Sequence, residues 1–208
     1  VVEFNLMVER HGKTPVQWAH EIGFLTPDAL LAHAIFIDDH SWLHWRTCRD
    51  LSILADTEVT VAHCPTPFSR YGQVLEDFGR YVRAGVTMGI GTDTLPHNFI
   101  EEMRKTAVLA RIAAGDINTL GLADILNGAT VSGAKALNRD DLGRLAPGTK
   151  ADIVLVDLSH PHMRPVRDPL RSLVFSAADR AVKDVFVDGY QVVADGKVLT
   201  LDPVEAHG

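Results

Sequence analysis

The 208-residue sequence has few cysteines, no run of basic residues, and no apolar run long enough to span a bilayer. Its two cysteines, Cys48 and Cys64, are too few for a disulfide framework, which favours a reducing compartment. The first residues show neither a basic segment nor the apolar core of a signal peptide. We therefore expect a cytoplasmic protein. The formal net charge of −7 argues against a nucleic acid or a membrane surface as a partner.

The chain opens with VVEFNLMVERHG, which has no initiator methionine and lies inside a predicted helix. We therefore expect the sequence to start partway along a longer protein. Hydrophobic residues make up 46% and charged residues 23% of the chain, which is typical of a globular protein. The length suits one large domain, or one domain with a small lobe.

Three apolar runs of strand length alternate with helical patterns along the first two thirds of the chain. We predict strands at 29–37, 58–65 and 86–93. The predicted helices are 3–11, 15–23, 38–50, 71–84, 98–114 and 122–137. Asp38 and Asp39 are expected to cap the third helix, and Cys48 falls within it. Near-continuous apolar strands alternating with helices indicate a parallel sheet covered on both faces, and so an α/β fold.

Each predicted strand carries, towards its C-terminal end, a residue that can do chemistry. The intervals from His33 to His63 and from His63 to Asp93 are both 30 residues, about the length of one βα unit. Even spacing of polar residues at successive strand ends is typical of a (β/α)8 barrel, whose active site lies at that rim. Three units cannot close an eight-stranded barrel, so we expect only a part of one.

From about residue 143 the pattern changes to short strands. A strand is predicted to end at Asp157, and hairpin turns are predicted at 188–189 and 195–196, where Asp precedes Gly. Between them, 160–180 includes a short helix predicted near 168–176. We divide the chain into residues 1–141, the barrel part, and 142–208, a small β lobe whose segment at about 160–180 returns to the barrel.

Each strand-end residue also has a purely structural interpretation. Asp93 is equally able to cap the next helix, His33 to lie in the barrel wall, and His63 to hold a neighbouring loop. Gly89 and Gly91 leave room beside Asp93 or let the backbone bend. Taken together, however, one His–His–Asp set in register predicts a hydrolase in which a divalent ion lowers the pKa of a bound water.

The loops after the strands supply candidates for substrate contacts, because loops at that rim carry specificity. Phe68 and Arg70 follow the second strand, and Arg70 suits an anionic group unless it is simply exposed. His97 and Asn98 either contact substrate or cap the helix that begins near Phe99. Two further features are assigned no active role. Cys64 has no neighbouring base for a nucleophile, and Glu101, Glu102 and Arg104 are predicted to form a helix face.

The motifs LLAHAIFIDD, VAHCPTPFSRYG, AGVTMGIGTDT, EEMRKTAVLAR, GATVSGAKAL and LGRLAPGTKADIVLVDL follow one another along nearly the whole chain. In this order they resemble the amidohydrolase superfamily. The branch they most resemble holds the cytosine, guanine and S-adenosylhomocysteine deaminases and the triazine hydrolases. The resemblance implies the C-terminal part of a (β/α)8 barrel, strands 6–8, with part of a flanking β-sandwich.

The same resemblance implies roles for the strand-end residues. Asp93 would be the metal-binding aspartate of strand 8, which also takes a proton from the attacking water. His33 would be the strand-6 histidine that orients this water or the substrate, and that binds a second ion in two-metal relatives. His63 and Thr94 join Phe68 and the other loop residues as expected substrate contacts. The implied cofactor is one divalent metal, Zn²⁺ or Fe²⁺.

The chain also departs from the family pattern. The His-x-His pair of strand 1 and the strand-5 histidine with its glutamate are not in this sequence, so we expect a fragment that is inactive alone. The loop 94–98 differs from the Asn-rich loop of many deaminases, which leaves other C–N or C–Cl hydrolysis open beside deamination. We expect a small-molecule substrate, and either a homo-oligomer or association with the missing N-terminal part. The alternative is a non-catalytic (β/α) assembly domain.

Overall fold

The computed structural model describes residues 1–43 and 45–201, and it contains a parallel sheet followed by an antiparallel sheet. The strands are β1 (Leu30–Ala32), β2 (Thr60–His63), β3 (Thr87–Ile90), β4 (Ile153–Val156), β5 (Val182–Val187), β6 (Tyr190–Ala194) and β7 (Lys197–Val198). The helices are α1 (Val2–His11), α2 (Pro15–Glu21), α3 (Asp50–Asp56), α4 (Pro65–Ser69), α5 (Phe78–Arg83), α6 (Phe99–Ala114), α7 (Leu122–Ala129), α8 (Val131–Ala136) and α9 (Pro169–Ser172). The predicted α/β class is confirmed. Among the described residues, no helix combines the length and apolar character that a membrane span requires.

The three predicted strands pair in parallel, in the order β1–β2–β3. Val61 at the centre of β2 is fully buried and Met88 of β3 is 3% exposed, as expected where both faces of a sheet are covered. β1 is shorter than the predicted strand 29–37. It ends because His33 and Ala34 have φ angles of 69° and 43°, which no extended strand can accommodate.

Local capping signals place several helix ends as predicted. α1 ends at Gly12, which takes a left-handed conformation with φ of 65°. The Thr14 side chain accepts a hydrogen bond from the Gln17 N–H at the start of α2, where Pro15 is the first helical residue. α6 spans the predicted range and ends at Gly115, which is also left-handed.

The helix predicted after Asp38 is wrong. Among the described residues of 38–49 there is no helix, and Cys48 is exposed in a loop rather than on a helix. Asp38 instead caps a helix that lies further along the chain. Its carboxylate accepts from the N–H groups of Arg49 and Asp50, at 2.7 and 3.2 Å, at the start of α3. Asp38 therefore holds the start of α3, twelve residues further along the chain, and does not cap a helix that begins beside it.

Two other predicted helices are broken. The range 71–84 was predicted as one helix, but only α5 forms there, because Glu76 has a φ of 71° and Asp77 caps α5 by accepting from the Gly79 N–H. The range 122–137 divides into α7 and α8 at Thr130, whose φ and ψ of −135° and −81° lie outside the helical region. α7 packs closely on β3, since a Cβ on Gly128 would lie 3.2 Å from the Met88 carbonyl oxygen.

The second sheet is antiparallel in the order β4–β5–β6–β7. Both predicted hairpin turns are confirmed, with positive φ at Asp188 and Gly189 and at Asp195 and Gly196, as a type I′ turn requires. The segment between β4 and β5 holds α9, the helical turns Pro161–Met163 and Ala178–Ala181, and a π-helical turn at Leu173–Ala177. Val174 of this segment is fully buried in the main core, and its carbonyl accepts from the Arg104 Nε of α6 at 2.9 Å.

Candidate active site

The carboxyl ends of the three parallel strands bring the predicted residues to one edge of the sheet. His33 follows β1, His63 is the last residue of β2, and Asp93 lies three residues after β3. His33 and Asp93 both have positive φ, 69° and 56°, which is uncommon for residues other than glycine. Such strained conformations cluster at functional sites, where the surrounding structure holds them in place.

His33 and Asp93 converge. The Nε2 atom of His33 lies 3.7 Å from an Oδ atom of Asp93, and their side chains are 25% and 46% exposed. Burial lowers the pKa of His33 below its ordinary value of 6.5, and the Asp93 carboxylate partly opposes this shift. The ring is therefore neutral near pH 7 and available as a metal ligand or hydrogen-bond acceptor. Two side chains 60 positions apart in the sequence are thus close enough to share one water or one ion.

The chain after β3 passes very close to the end of β2. Gly91 donates its N–H to the His63 carbonyl at 2.9 Å, and a Cβ on this glycine would lie 3.1 Å from the Cys64 Sγ. Glycine is therefore the residue that lets the MGIGTDT segment carry Asp93 to the strand edge beside Cys64. Gly91 therefore leaves the room beside Asp93 that the sequence predicted for its glycines. A Cβ added to Gly89 would lie 3.8 Å from the Val61 carbonyl oxygen, which is an ordinary contact, so Gly89 is not needed for space.

His63 and Phe68 lie next to this pair. The Phe68 ring meets the His33 ring edge to face, with centroids 4.5 Å apart. His63 is only 4% exposed, and burial lowers the pKa of its ring to about 3. Cys64 is also buried, and desolvation, reinforced by Asp93 and Glu102, raises the pKa of its thiol to about 11. A thiol this weakly acidic is a poor nucleophile, in agreement with the interpretation from the sequence.

A buried glutamate holds the segment that carries Phe68. The Glu102 carboxylate of α6 accepts from the Thr66 N–H at 3.0 Å and also from the Thr66 hydroxyl, and the Lys105 ammonium lies 3.7 Å from it. Glu102 is 1% exposed, so assigning it to an external helix face was wrong. The sequence did carry a signal, because the apolar residues Met103, Ala107 and Ala110 recur at helical spacing and Glu102 lies directly beside them on the buried face.

The loop residues predicted to contact substrate lie around the same edge. The Arg70 guanidinium donates to the Leu95 carbonyl, which joins the loops after β2 and β3. His97 is exposed, and its Nδ1 lies 3.1 Å from the Thr92 hydroxyl. Asn98 caps α6 by accepting from the Glu101 N–H at 3.2 Å, so the capping interpretation accounts for its side-chain oxygen. Thr94 is half-buried in the same loop.

The residues at this edge fit part of a metal site. A carboxylate oxygen and a neutral imidazole nitrogen are both ordinary zinc ligands. The His33 Nδ1 is buried without a hydrogen-bond partner among the described residues. Across residues 1–43 and 45–201 there is no group of three or more His, Cys, Asp or Glu side chains placed to hold an ion. The chemistry of these two side chains therefore suits an ion beside Asp93, and a full set of ligands would need residues other than these two.

Comparison with known proteins identifies the family. The sequence profile of the amidohydrolase family matches residues 4–192. This match spans most of the chain, so the protein belongs to the amidohydrolase family. The resemblance inferred from the motifs is confirmed.

Curated relatives include two deaminases of archaea. One is the 5-methylthioadenosine/S-adenosylhomocysteine deaminase of Natronomonas pharaonis, 32% identical over 204 residues, which are 96% of this chain and 45% of that protein. Another is the 5′-deoxyadenosine deaminase of Methanosarcina acetivorans, which is 34% identical over 204 residues and again covers 96% of this chain and 45% of that protein. The chain therefore spans about half the length of the curated relatives it matches.

Solved structures extend the comparison. An adenosine deaminase from Xanthomonas campestris with bound zinc superposes with a TM-score of 0.87 at 27% identity, covering 99% of this chain and 46% of that one. The zinc complex of atrazine chlorohydrolase from Arthrobacter aurescens TC1 gives 0.86 at 26% identity, covering 98% and 44%. Zinc is thus present in two structures that share this fold.

Proposed function

We propose that this chain is part of a metal-dependent hydrolase in which His33 and Asp93 line the reaction site. The observation that supports this most directly is the 3.7 Å approach of His33 Nε2 and Asp93 Oδ2 at adjacent strand ends. Two strained residues from different strands meet there, which a purely structural role for either residue would not require.

In this proposal the Asp93 carboxylate would hold a divalent ion and would accept the proton of the attacking water. His33 orients that water or polarises the substrate, and a neutral ring suits both tasks. A bound divalent ion would supply Lewis acidity, which makes water a stronger nucleophile at neutral pH. Zinc is the ion that the solved relatives favour. Iron remains the alternative, and His33 would contact a second ion if two are bound.

We also propose that β1–β3 correspond to strands 6–8 of a (β/α)8 barrel. Residues 1–141 would form this part, and residues 142–208 would form part of a flanking β-sandwich with its connection at about 160–180. The last residues of that lobe, 202–208, lie outside the described residues. The parallel order of β1–β3 supports the proposal, and so does the coverage of less than half of the longer relatives. Further ligands would come from the additional residues of a longer chain or from an associated one.

The substrate that we propose is an amino-substituted nitrogen heterocycle, and the reaction is its hydrolytic deamination. Two curated relatives are named as deaminases of 5′-modified adenosines or S-adenosylhomocysteine, which favours an adenine ring. Dechlorination of a triazine is the second candidate, because a solved relative is an atrazine chlorohydrolase. Phe68, Arg70, His63, Thr94, His97 and Asn98 are the proposed substrate contacts.

Metal analysis tests the proposed site. The natural gene product that contains these residues should bind zinc or iron, and Asp93→Asn should lose most of it. Asp157→Asn is the matched control, since Asp157 follows β4 of the antiparallel sheet rather than a strand of the parallel sheet. Equal metal content in both variants would remove Asp93 from the site. Absence of metal in the unmodified gene product would favour the non-catalytic assembly domain.

A substrate panel then separates the two reactions. 5′-Deoxyadenosine, S-adenosylhomocysteine, an aminopyrimidine and a chloro-s-triazine are offered to the metal-loaded gene product. Release of ammonia from the adenosines supports deamination, and release of chloride from the triazine supports the second candidate. Turnover of none of these substrates, with metal bound, would reject this substrate class while leaving the metal site intact.

A further inference from the structure

A small cavity lies behind the candidate active site, between β2, α6 and the segment 73–76. Its walls include His63, Thr106, Gln73, Glu76, Leu75 and Phe78. The space open to the centre of a water molecule is about 10 Å³, which is about the room that one water needs. The cavity is thus large enough for one water and too small for an organic ligand.

Two polar atoms of the lining residues are buried without partners. The His63 Nδ1 and the Thr106 Oγ1 make no hydrogen bond to any described residue. These residues are 4% and 1% exposed. A buried donor or acceptor left without a partner bears its full desolvation penalty, so such atoms are ordinarily satisfied by protein or by an ordered water. Two such atoms in the wall of one cavity indicate a common partner.

The face that α6 turns towards the chain after β2 carries Thr106. Glu102 and Thr106 are four residues apart and therefore lie on one face of α6. Glu102 binds Thr66, three residues after His63. Thr106 lies on the next turn of the same face and lines the cavity together with His63. The face of α6 that binds Thr66 therefore also forms a wall of the cavity that His63 lines.

We propose that this cavity binds one water molecule that accepts from the Thr106 hydroxyl and donates to His63 Nδ1, which makes Thr106 the positioning residue of the His63 ring. The donated hydrogen bond leaves the ring proton on Nε2. A neutral ring is required for this arrangement, and burial supplies it by lowering the pKa of His63 to about 3. The proposal concerns hydration and tautomer, so it does not depend on metal binding or on any reaction.

A crystal structure of the natural gene product at a resolution that shows ordered water tests the site. We expect one water within hydrogen-bond distance of both His63 Nδ1 and Thr106 Oγ1. Thr106→Ser keeps the hydroxyl and should keep the water, whereas Thr106→Val removes the hydroxyl at nearly equal volume and should lose it. A cavity filled by a side chain such as Gln73, or water lost equally from the serine variant, would overturn the proposal.

The tautomer of His63 gives an independent measurement in solution. Nitrogen NMR of histidine-labelled protein distinguishes a protonated Nε2 from a protonated Nδ1, and His63→Asn identifies the signal. We expect the Nε2–H form in the unmodified protein and in Thr106→Ser, and a changed tautomer ratio in Thr106→Val. An Nδ1–H ring in the unmodified protein would contradict the proposal even if the valine variant failed to fold.

Discussion

The two sheets of this protein bury their apolar side chains to very different extents. In the parallel sheet, Val61 is fully buried and Met88 is 3% exposed, whereas Val154 and Leu155 of the antiparallel sheet are 54% and 46% exposed. β2 and β3 are the buried strands of the parallel sheet, although Leu30 of β1 is 48% exposed, whereas β4 has only a small cluster beside it, built on Met163, Ala177 and Ala181. Strands of similar Val-rich and Leu-rich composition therefore contribute unequally to the free energy of unfolding, because each contribution follows the apolar area that folding removes from water.

The first test of this comparison replaces one leucine by alanine in the main core and one in the antiparallel sheet. Leu54 in α3 is fully buried in the main core, and Leu54→Ala should lower the free energy of unfolding by about 2–5 kcal/mol. Leu155→Ala is the matched change in β4 and should cost less than about 1 kcal/mol, because half of the side chain is already in water. Denaturant unfolding measures both. Comparable losses would mean that the exposed sheet contributes as much as the buried one.

The second test concerns a polar contact within the buried region. Glu102→Ala leaves the Thr66 N–H without its buried acceptor, and we expect a loss of about 2–3 kcal/mol. Glu101→Ala, one residue earlier on α6, breaks only the partly exposed pair with Arg104 and should cost about 0.5 kcal/mol. Equal losses from the two variants would show that the Glu102–Thr66 contact is not a strong restraint.

The third test uses pH. Burial raises the pKa of Asp50 to about 6 from its ordinary value of 3.8, despite hydrogen bonds from Thr14 and Gln17. The folded state therefore binds the proton more tightly than the unfolded state. This group favours folding below about pH 4 and loses that contribution as the pH rises to about 6, by about 2–3 kcal/mol.

Stability measured against pH for the unmodified protein and for Asp50→Asn isolates this group. The difference in unfolding free energy between the two proteins should change between about pH 4 and pH 6 and should be constant above about pH 6. Asp56→Asn, at the exposed end of the same helix, is the control for removing a carboxylate from α3. A pH-independent difference for the Asp50 variant would show that its pKa is not raised.

The smallest effect is expected in the antiparallel lobe. Gly189 has a φ of 82° in the hairpin between β5 and β6, so Gly189→Ala should cost about 1 kcal/mol. Gly133 lies inside α8 with nothing within 4 Å of an added Cβ, so Gly133→Ala should stabilise by about 0.5–1 kcal/mol. Thermal unfolding of the two variants should therefore shift in opposite directions. Shifts of the same sign would contradict the backbone explanation.

Local patterns predicted much of this fold. Strand runs, the caps at Thr14 and Gly12, and both Asp-Gly turns act within a few residues, so the sequence alone suffices to place them. The equal intervals between His33, His63 and Asp93 predicted that the three residues lie at one edge of the parallel sheet, and the structure has them there. Their roles, and those of the substrate contacts, stay predictions.

Other features could not be predicted, because they depend on partners distant in the chain. Nothing near Asp38 indicates that its carboxylate caps a helix beginning at Asp50, and nothing near Glu102 names Thr66 as its partner 36 residues earlier. The true length of β1 likewise depends on the left-handed turn at His33, where the Tyr81 hydroxyl donates to the Ala34 carbonyl.

The alternation of strands and helices, the turn positions and the chemical types at the strand ends follow from the order of residues alone, because backbone preferences and apolar periodicity are local. Three other features arise from packing between distant segments: the His33 ring and the Asp93 carboxylate lie 3.7 Å apart, Glu102 is buried, and His63 and Thr106 line one cavity. The last two features depend on the packing of α6 against the chain after β2. Packing selects contacts between side chains by shape and burial, whatever their separation in the sequence.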